Sequence, residues 1–178
     1  MVYHEIAHHY RFGPDWTNEG GKEFLESLVH LRMDSNELAG PLPPALGGLH
    51  NLEELDLGYN HISGEVPPEL GNLTNFGYLQ LDVNQLTGAI PGELGNLTSL
   101  QYLDFSYTGL TGPIPEELNF LPSNTQIILV DTDLTGPLPG GLPGRDTVAF
   151  RSFQIPCPDY ATSYSLGLEA RWTFLGGQ

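Results

Sequence analysis

The sequence is poor in cysteine and in basic residues. Cys157 is its single cysteine, so no internal disulfide bond can form. Six lysine and arginine residues stand against 22 aspartate and glutamate residues, and none of the six lies between Arg32 and Arg145. A surface that binds a nucleic acid needs clustered cations to displace phosphate counterions, so the composition argues against that class of function. The net charge of −16 favours cationic partners, or neutral ones such as glycans and peptides.

Long apolar runs are also absent from the sequence. No stretch approaches the roughly 20 apolar residues that cross a bilayer, so we expect no insertion into a membrane. The first five residues, MVYHE, have neither the basic start nor the apolar run of a signal peptide. We therefore expect either a cytoplasmic chain or a chain whose exported precursor begins further upstream.

A pattern that recurs every 24 residues dominates the middle of the sequence. Each repeat opens with a segment of the form LxxLxLxx, whose alternation of apolar and polar positions is typical of a half-buried strand. The apolar positions are 28, 31 and 33, then 52, 55 and 57, then 76, 79 and 81, then 100, 103 and 105, and, more weakly, Asn124, Ile127 and Leu129. Five repeats in one register predict strands that stack side by side into a parallel sheet.

The second half of each repeat predicts a different local structure. An Asn or Thr ends the strand segment, and a buried Asn amide there can bond backbone groups of adjacent repeats. A glycine four residues later allows a tight bend, and a proline three residues after it fixes φ. This half is therefore predicted to be an extended piece followed by a turn of 3₁₀ helix. Thr108 and Thr132 replace the Asn in the last two repeats, which we expect to be looser.

These motifs resemble those of a known repeat family. Residues 86–100, LTGAIPGELGNLTSL, closely resemble the plant-type subclass of leucine-rich repeats, which bacteria also carry. The resemblance covers residues 28–143 and implies an arc-shaped solenoid whose concave sheet recognises proteins, peptides or small ligands. Members of the receptor type have cysteine-paired caps, which a chain with one cysteine cannot have. Five repeats also leave a small concave face.

The outward strand positions form four columns across the predicted sheet. The columns contain residues 30, 54, 78, 102 and 126, then 32, 56, 80, 104 and 128, then 34, 58, 82, 106 and 130, and finally 35, 59, 83, 107 and 131. Tyrosines and carboxylates share these columns, and tyrosine gives a large contact area at low entropic cost. The alternative is that the tyrosines only stabilise cross-strand pairs. We expect a monomer that binds a protein, peptide or glycan through the candidate residues Glu54, Asp56, Tyr59, Tyr78, Gln80, Asp82, Tyr102, Asp104 and Tyr107.

Residues 1–27 lie outside the repeat and contain an HExxH motif at positions 4–8. A helix places His4 and His8 on one face, where they can share a Zn²⁺ ion while Glu5 polarises its water. The following WTNEG, at positions 16–20, resembles the glutamate-ligand zinc peptidases (gluzincins). That resemblance implies Glu19 as the third metal ligand and Glu5 as the general base.

Three interpretations of this N-terminal segment stay open. It is a short helical cap derived from a peptidase domain, a zinc site without catalysis, or part of a working zinc peptidase in a longer parent chain. Gluzincins need an upstream sheet to align the substrate, and three residues precede His4, which favours the cap. A parent protein that joins a peptidase to a repeat array is expected to be exported and to act outside the cell or on its surface.

Residues 144–178 follow the last repeat and lose its periodicity. Residues 147–155, TVAFRSFQI, alternate enough to predict a strand, and residues 164–175 could give another. Because an open sheet edge invites aggregation, we interpret this segment as a C-terminal cap of irregular and β structure. Cys157 lies between two prolines and has no nearby constellation of histidine and carboxylate to activate it, which argues against a nucleophilic role.

Overall fold

The computed structural model describes residues 27–143, and the backbone of residues 149–151. These residues form two β-sheets, each built of parallel strands. The larger sheet has the strand order β1-β3-β5-β7-β9-β11 and contains the predicted LxLx segments. Its strands are β1 (His30–Arg32), β3 (Glu54–Asp56), β5 (Tyr78–Gln80), β7 (Tyr102–Asp104), β9 (Gln126–Val130) and β11 (Ala149–Arg151).

A second sheet, which the sequence did not predict as such, lies on another side of the solenoid. It forms from the short extended pieces that follow the Asn or Thr of each repeat, because equivalent pieces of neighbouring repeats pair in parallel. The strand order is β10-β8-β6-β4-β2. The strands are β2 (Ala39–Pro41), β4 (His61–Gly64), β6 (Gln85–Gly88), β8 (Gly109–Pro113) and β10 (Asp133–Thr135).

Short 3₁₀ helices return the chain to the next strand, as predicted. Each follows a proline whose φ lies between −61° and −73°. The tight bend before that proline is a glycine with a positive φ, for example +80° at Gly64 and +79° at Gly88. The 3₁₀ segments are Pro44–Gly48, Pro68–Asn72, Gly92–Asn96 and Glu116–Phe120.

These 3₁₀ helices stack so closely that glycine is required between them. A Cβ on Gly47 would overlap the carbonyl of Glu69 in the next repeat. The same overlap would arise between Gly71 and Glu93 and between Gly95 and Glu117. The GG and GN steps of the sequence therefore set the spacing of the repeats on this side.

The inward side chains of all three sides of each repeat form one continuous hydrophobic core. Leucine dominates it, and Phe76 and Phe105 are its largest fully buried side chains. Burial of a leucine stabilises the fold by about 1.5–3 kcal/mol. Because each repeat packs only on its neighbours, this contribution is shared between adjacent repeats.

A ladder of buried asparagines ties the repeats together. The Nδ2 group of Asn60 donates to the carbonyls of Leu57, 3.0 Å away, and of Met33 in the previous repeat, 2.9 Å away. Its Oδ1 accepts a hydrogen bond from the backbone N–H of Leu38. Thr108 takes the same place two repeats later, and its hydroxyl donates to the carbonyl of Phe105 in its own repeat. The predicted role of Asn is confirmed.

The fifth repeat departs from the predicted pattern. Asn124 was expected to point inward, but it is exposed, and Thr125 is fully buried in its place. The hydroxyl of Thr125 donates to the carbonyl of Leu100, 2.6 Å away, in the previous repeat. Leu121, just before Pro122, has ψ 155°, whereas the equivalent leucines have ψ of 66–78°. This extended backbone moves the inward position by one residue.

The flanking segments are described in part. β11 falls within the strand predicted at 147–155 and pairs in parallel with β9. The predicted helical cap at 1–27 lies, apart from residue 27, outside the described residues, as does the second C-terminal strand at 164–175.

Candidate binding surface

The concave face of the larger sheet presents the predicted columns in register. Residue 54 pairs with residues 30 and 78, and residue 102 with residues 78 and 126, so the first column crosses five strands. The second column runs in the same way through residues 32, 56, 80, 104 and 128. Parallel strands lie about 4.8 Å apart, so neighbouring members of a column are close enough to interact.

Two tyrosines of the first column stack on each other. The rings of Tyr78 on β5 and Tyr102 on β7 have centroids 4.5 Å apart and planes 7° from parallel. Both side chains are half-buried, so part of each remains open to solvent. The stack confirms that these tyrosines pair across strands, and it also presents an ordered aromatic surface in the centre of the concave face.

The hydroxyl of each tyrosine is held by a side chain two residues further along its own strand. Tyr78 donates to Oε1 of Gln80, and Nε2 of Gln80 donates to Oδ1 of Asp82, 2.8 Å away. On the next strand, Tyr102 donates to Oδ2 of Asp104 at 3.0 Å. The five candidate residues thus form two hydrogen-bonded chains, one on each strand, and the stacked rings hold the two chains side by side.

Asp82 and Asp104 are less exposed than an outward column suggests. Their exposed fractions are both 7 %. The other oxygen of Asp104 accepts a hydrogen bond from the backbone N–H of Ser106, 2.9 Å away. Asp82 reaches towards the preceding repeat, where its carboxylate fills the space beside Gly58 that a Cβ would occupy. These two carboxylates therefore hold the side chains of Gln80 and Tyr102 in place by accepting hydrogen bonds from them.

The first two strands carry a charged cluster next to the tyrosines. Arg32 binds Glu54 with two hydrogen bonds, from Nε to Oε1 at 2.6 Å and from Nη2 to Oε2 at 2.7 Å. Nδ1 of His30 lies 3.3 Å from the same Oε2. Asp56, on β3, accepts a hydrogen bond from the backbone N–H of Gly58 through one oxygen. Among the acidic candidates, Glu54 is therefore the one whose negative charge is balanced by a paired cation, Arg32.

Burial and neighbouring negative charges raise several pKa values on this face. Desolvation is the largest cause for Asp56 and for Asp82, whose pKa values are raised above the ordinary carboxyl range. The pKa values of the Tyr78 and Tyr102 hydroxyls are raised by the same cause, with the nearby carboxylates adding to it. Both tyrosines therefore stay neutral hydrogen-bond donors at physiological pH.

Tyr59 and Tyr107 lie beyond the ends of β3 and β7. They occupy the rim, just after the strands, where the backbone is left-handed with φ of 55° at both residues. Their exposed fractions are 57 % and 53 %, among the highest for a large hydrophobic side chain in residues 27–143. The left-handed rim column consists of Ser35, Tyr59, Val83, Tyr107 and Asp131.

A shallow depression of about 460 Å³ opens at the N-terminal end of the face. It is lined by Arg32, Asp34, Glu54, Asp56 and Tyr78. Sequence reasoning placed Asp34 and Arg32 in the outward columns but did not select them as binding residues. The signal was present, because Asp34 precedes Asp82 by two repeats in the same column.

The comparisons with known proteins agree with this architecture. A family model described as Leucine Rich Repeat matches residues 27–49, 51–73 and 99–121. A chain of the BIR3–SERK2 complex from Arabidopsis thaliana is 30 % identical, with a TM-score of 0.64; the match covers 74 % of this chain and 71 % of that one. The chain belongs to the leucine-rich-repeat family.

Two larger receptors contain a similar leucine-rich-repeat array. The ectodomain of the Arabidopsis thaliana membrane receptor kinase GASSHO1/SCHENGEN3, in complex with CASPARIAN STRIP INTEGRITY FACTOR 2, is 36 % identical over 71 % of this chain, with a TM-score of 0.64. The Arabidopsis receptor kinase HAESA, in complex with the peptide hormone IDA and the co-receptor SERK1, is 32 % identical over 73 %, with a TM-score of 0.62. This chain spans 15 % and 23 % of those two chains. No protein of curated function matches the sequence.

The zinc ligands predicted from the sequence, His4, His8 and Glu19, and the predicted base Glu5 lie outside the described residues. None of the matched repeat segments includes them. Within the described part of the leucine-rich-repeat chain, no group of three or more histidine, cysteine or acidic residues is arranged to hold a metal ion. The same part contains no helix long and apolar enough to cross a membrane.

Proposed function

We propose that this leucine-rich-repeat array binds a protein or peptide on its concave sheet, acting as one copy of the chain. The stacked pair of Tyr78 and Tyr102 carries the proposal. Partly exposed tyrosines held by hydrogen bonds lose little entropy on binding, and tyrosine is enriched among the residues that dominate binding energy. Short strands fixed on both sides by their neighbours supply the rigid support that such a surface requires.

The similar receptors support a peptide or protein partner. HAESA is described in complex with a peptide hormone and a co-receptor, and GASSHO1/SCHENGEN3 in complex with an integrity factor. The second of these arrays is an ectodomain of a membrane receptor. On this basis we propose that the parent of this chain acts outside the cell or at its surface.

Selection from a library of random twelve-residue peptides, displayed on phage and panned against the whole chain, tests the proposal. We expect binders in the micromolar range whose affinity falls at least tenfold in the Tyr78→Ala/Tyr102→Ala double variant. The Phe120→Ala variant is the control, because Phe120 is a 76 % exposed aromatic on a 3₁₀ segment away from the concave sheet. Its affinity should stay within twofold of the parent.

Two results would contradict the proposal. Binders that keep their affinity in the double tyrosine variant would move the binding surface away from the stacked pair. A library without binders, together with a glycan array that gives specific signals, would replace the protein or peptide partner by a glycan. Light scattering of the free chain checks that one copy is the active form.

A zinc site at the N-terminus is a second candidate function, and the HExxH motif followed by Glu19 favours it. Elemental analysis of the purified chain and of the Glu19→Ala variant tests it. Zinc close to one atom per chain, lost in the variant, would support a gluzincin-like site and justify a search for proteolysis. Absence of zinc from both proteins would contradict the zinc site and favour the interpretation of the N-terminal segment as a cap.

A further inference from the structure

The concave face holds far more negative than positive charge. Arg32 is the one lysine or arginine among residues 27–143, and its guanidinium is already bound by Glu54 through two short hydrogen bonds. Four further carboxylates face the same side of the sheet, one in each of the first four repeats: Asp34, Asp56, Asp82 and Asp104. The face as a whole thus attracts a positive group from outside.

The depression beside β1 and β3 is where such a group fits. Asp34 is exposed and Asp56 half-buried, and both line it together with the Tyr78 side chain. Arg32 also lines it, but the bidentate pair with Glu54 neutralises its charge. A cation beside an aromatic side chain and two carboxylates gains both cation–π attraction and charge-assisted hydrogen bonds.

The chemistry of the lining selects between kinds of cation. A divalent metal prefers a closed set of oxygen ligands, and no group of three or more histidine, cysteine or acidic residues in the described part of the chain is arranged to supply one. A lysine or arginine side chain is longer, carries several donors, and can lie with its stem along the tyrosine while its head reaches the carboxylates. The buried Asp82 and Asp104 add to the negative field without making contact.

We propose that this depression takes the lysine or arginine side chain of an extended segment of a partner protein. The inference rests on the proposed function and adds its chemical specificity: the Tyr78–Tyr102 stack supports the segment, and the depression anchors one basic side chain. Neutral segments bind more weakly than basic ones of the same shape.

N-acetyl-arginine amide and N-acetyl-citrulline amide are the probes for this test, because citrulline keeps the shape of arginine and lacks its charge. We expect arginine amide to shift the backbone amide NMR signals of Asp34, Asp56 and Tyr78 in the whole ¹⁵N-labelled chain. Saturation is expected at a dissociation constant on the order of 1 mM, as fits so small a ligand. Citrulline amide at the same concentration should leave these signals in place.

Matched variants separate a local site from the general attraction of an acidic protein. The Asp34→Asn/Asp56→Asn variant should weaken the binding of arginine amide about tenfold. The Glu69→Gln/Glu93→Gln variant removes the same charge from exposed positions on the 3₁₀ segments, and should change the affinity less than twofold. Equal effects of the two variants, or equal shifts with both probes, would overturn the inference.

This test and the peptide selection fail independently. Selected peptides that need Tyr78 and Tyr102 but show no lysine or arginine preference would leave the proposed function standing and overturn the basic anchor. Arginine amide that binds in the depression, combined with a library without binders, would support the cation site and overturn the peptide-binding function.

Discussion

The carboxylate of Asp82 lies directly over Gly58 of the preceding repeat, in the space that a side chain on residue 58 would fill. Asp82 keeps this position through the hydrogen bond from Gln80, which in turn is bound by Tyr78. A glycine in one repeat thus makes room for the network that positions an aromatic side chain in the next. The arrangement couples residues that are 24 positions apart.

The Gly58→Ala variant tests this coupling. The added methyl group displaces the Asp82 carboxylate, so we expect a loss of about 1–2 kcal/mol in the free energy of unfolding. In an Asp82→Ala background the space is vacant, and the same substitution should cost about 1 kcal/mol less. Urea unfolding of the four proteins measures the coupling, and additive effects of the two substitutions would refute it.

Gly47 and Gly48 form a matched pair on the stacked 3₁₀ helices. Gly47→Ala overlaps the carbonyl of Glu69, whereas a Cβ on Gly48 meets nothing within 4 Å. We expect the first variant to lose about 2–3 kcal/mol of stability and the second to stay within about 0.5 kcal/mol of the parent. Thermal unfolding followed by circular dichroism distinguishes them. Similar melting temperatures would mean that the repeat spacing can relax.

The buried ladder predicts opposite effects for two exchanges at equivalent positions. Asn84→Thr removes amide hydrogen bonds to Leu57 and to Ile62 of the previous repeat, and should cost about 2 kcal/mol. Thr108→Asn offers the fourth repeat the same bridging geometry and should stabilise by about 0.5–1 kcal/mol. Chemical unfolding of both variants tests whether reach, rather than polarity alone, matters at this position. Destabilisation by Thr108→Asn would contradict the argument.

The raised pKa of Asp82 gives a pH dependence of stability. Between its unfolded and folded pKa values the folded chain binds more protons, so this contribution is present at low pH and is lost as the pH rises through the folded pKa. The Asp82→Asn variant removes the titration and keeps an oxygen for Gln80. It should be the more stable protein at pH 7.5, by a few tenths of a kcal/mol after solvent screening, with a smaller advantage at pH 4.5.

The control for the pH series is Asn72→Ala, which alters an exposed, uncharged side chain on a 3₁₀ segment. Because this exchange removes no titratable group, its stability difference from the parent should be the same at both pH values. An advantage of Asp82→Asn that grows as the pH falls would show that ionised Asp82 stabilises the fold through its hydrogen bond, against the direction set by burial.

The sequence predicted the solenoid, the register of the columns and the turn chemistry, because each repeat restates the same local rules. It missed the inward shift from Asn124 to Thr125, since the periodic pattern takes no account of the extended backbone before Pro122. It also overestimated the exposure of Asp82 and Asp104. Their burial depends on the way in which tyrosine and glutamine side chains lean along a strand, and alternation along the chain carries no information on that.

In the binding surface too, the features set by the repeat spacing could be predicted, and those set by side-chain contacts could not. Tyr78 and Tyr102 were placed in one column by the spacing of 24 residues, and the stack follows from that register. The pairing of Arg32 with Glu54, which leaves Asp34 and Asp56 to line a depression, depends on side-chain geometry across two repeats. The repeat spacing predicts which residues are neighbours across the sheet, but it does not predict which charged side chains pair with each other.

The left-handed rim column accepts side chains of very different size and branching. All five residues of this column have φ between 50° and 56°: a serine, two tyrosines, a valine and an aspartate. This backbone region is unfavourable for β-branched or bulky residues. The conformation is therefore imposed by the stacked array and not chosen by the residue. A position whose backbone is set by its neighbours can exchange its side chain without changing the fold, so natural variation and designed libraries have a row of five adjacent sites on which to alter specificity.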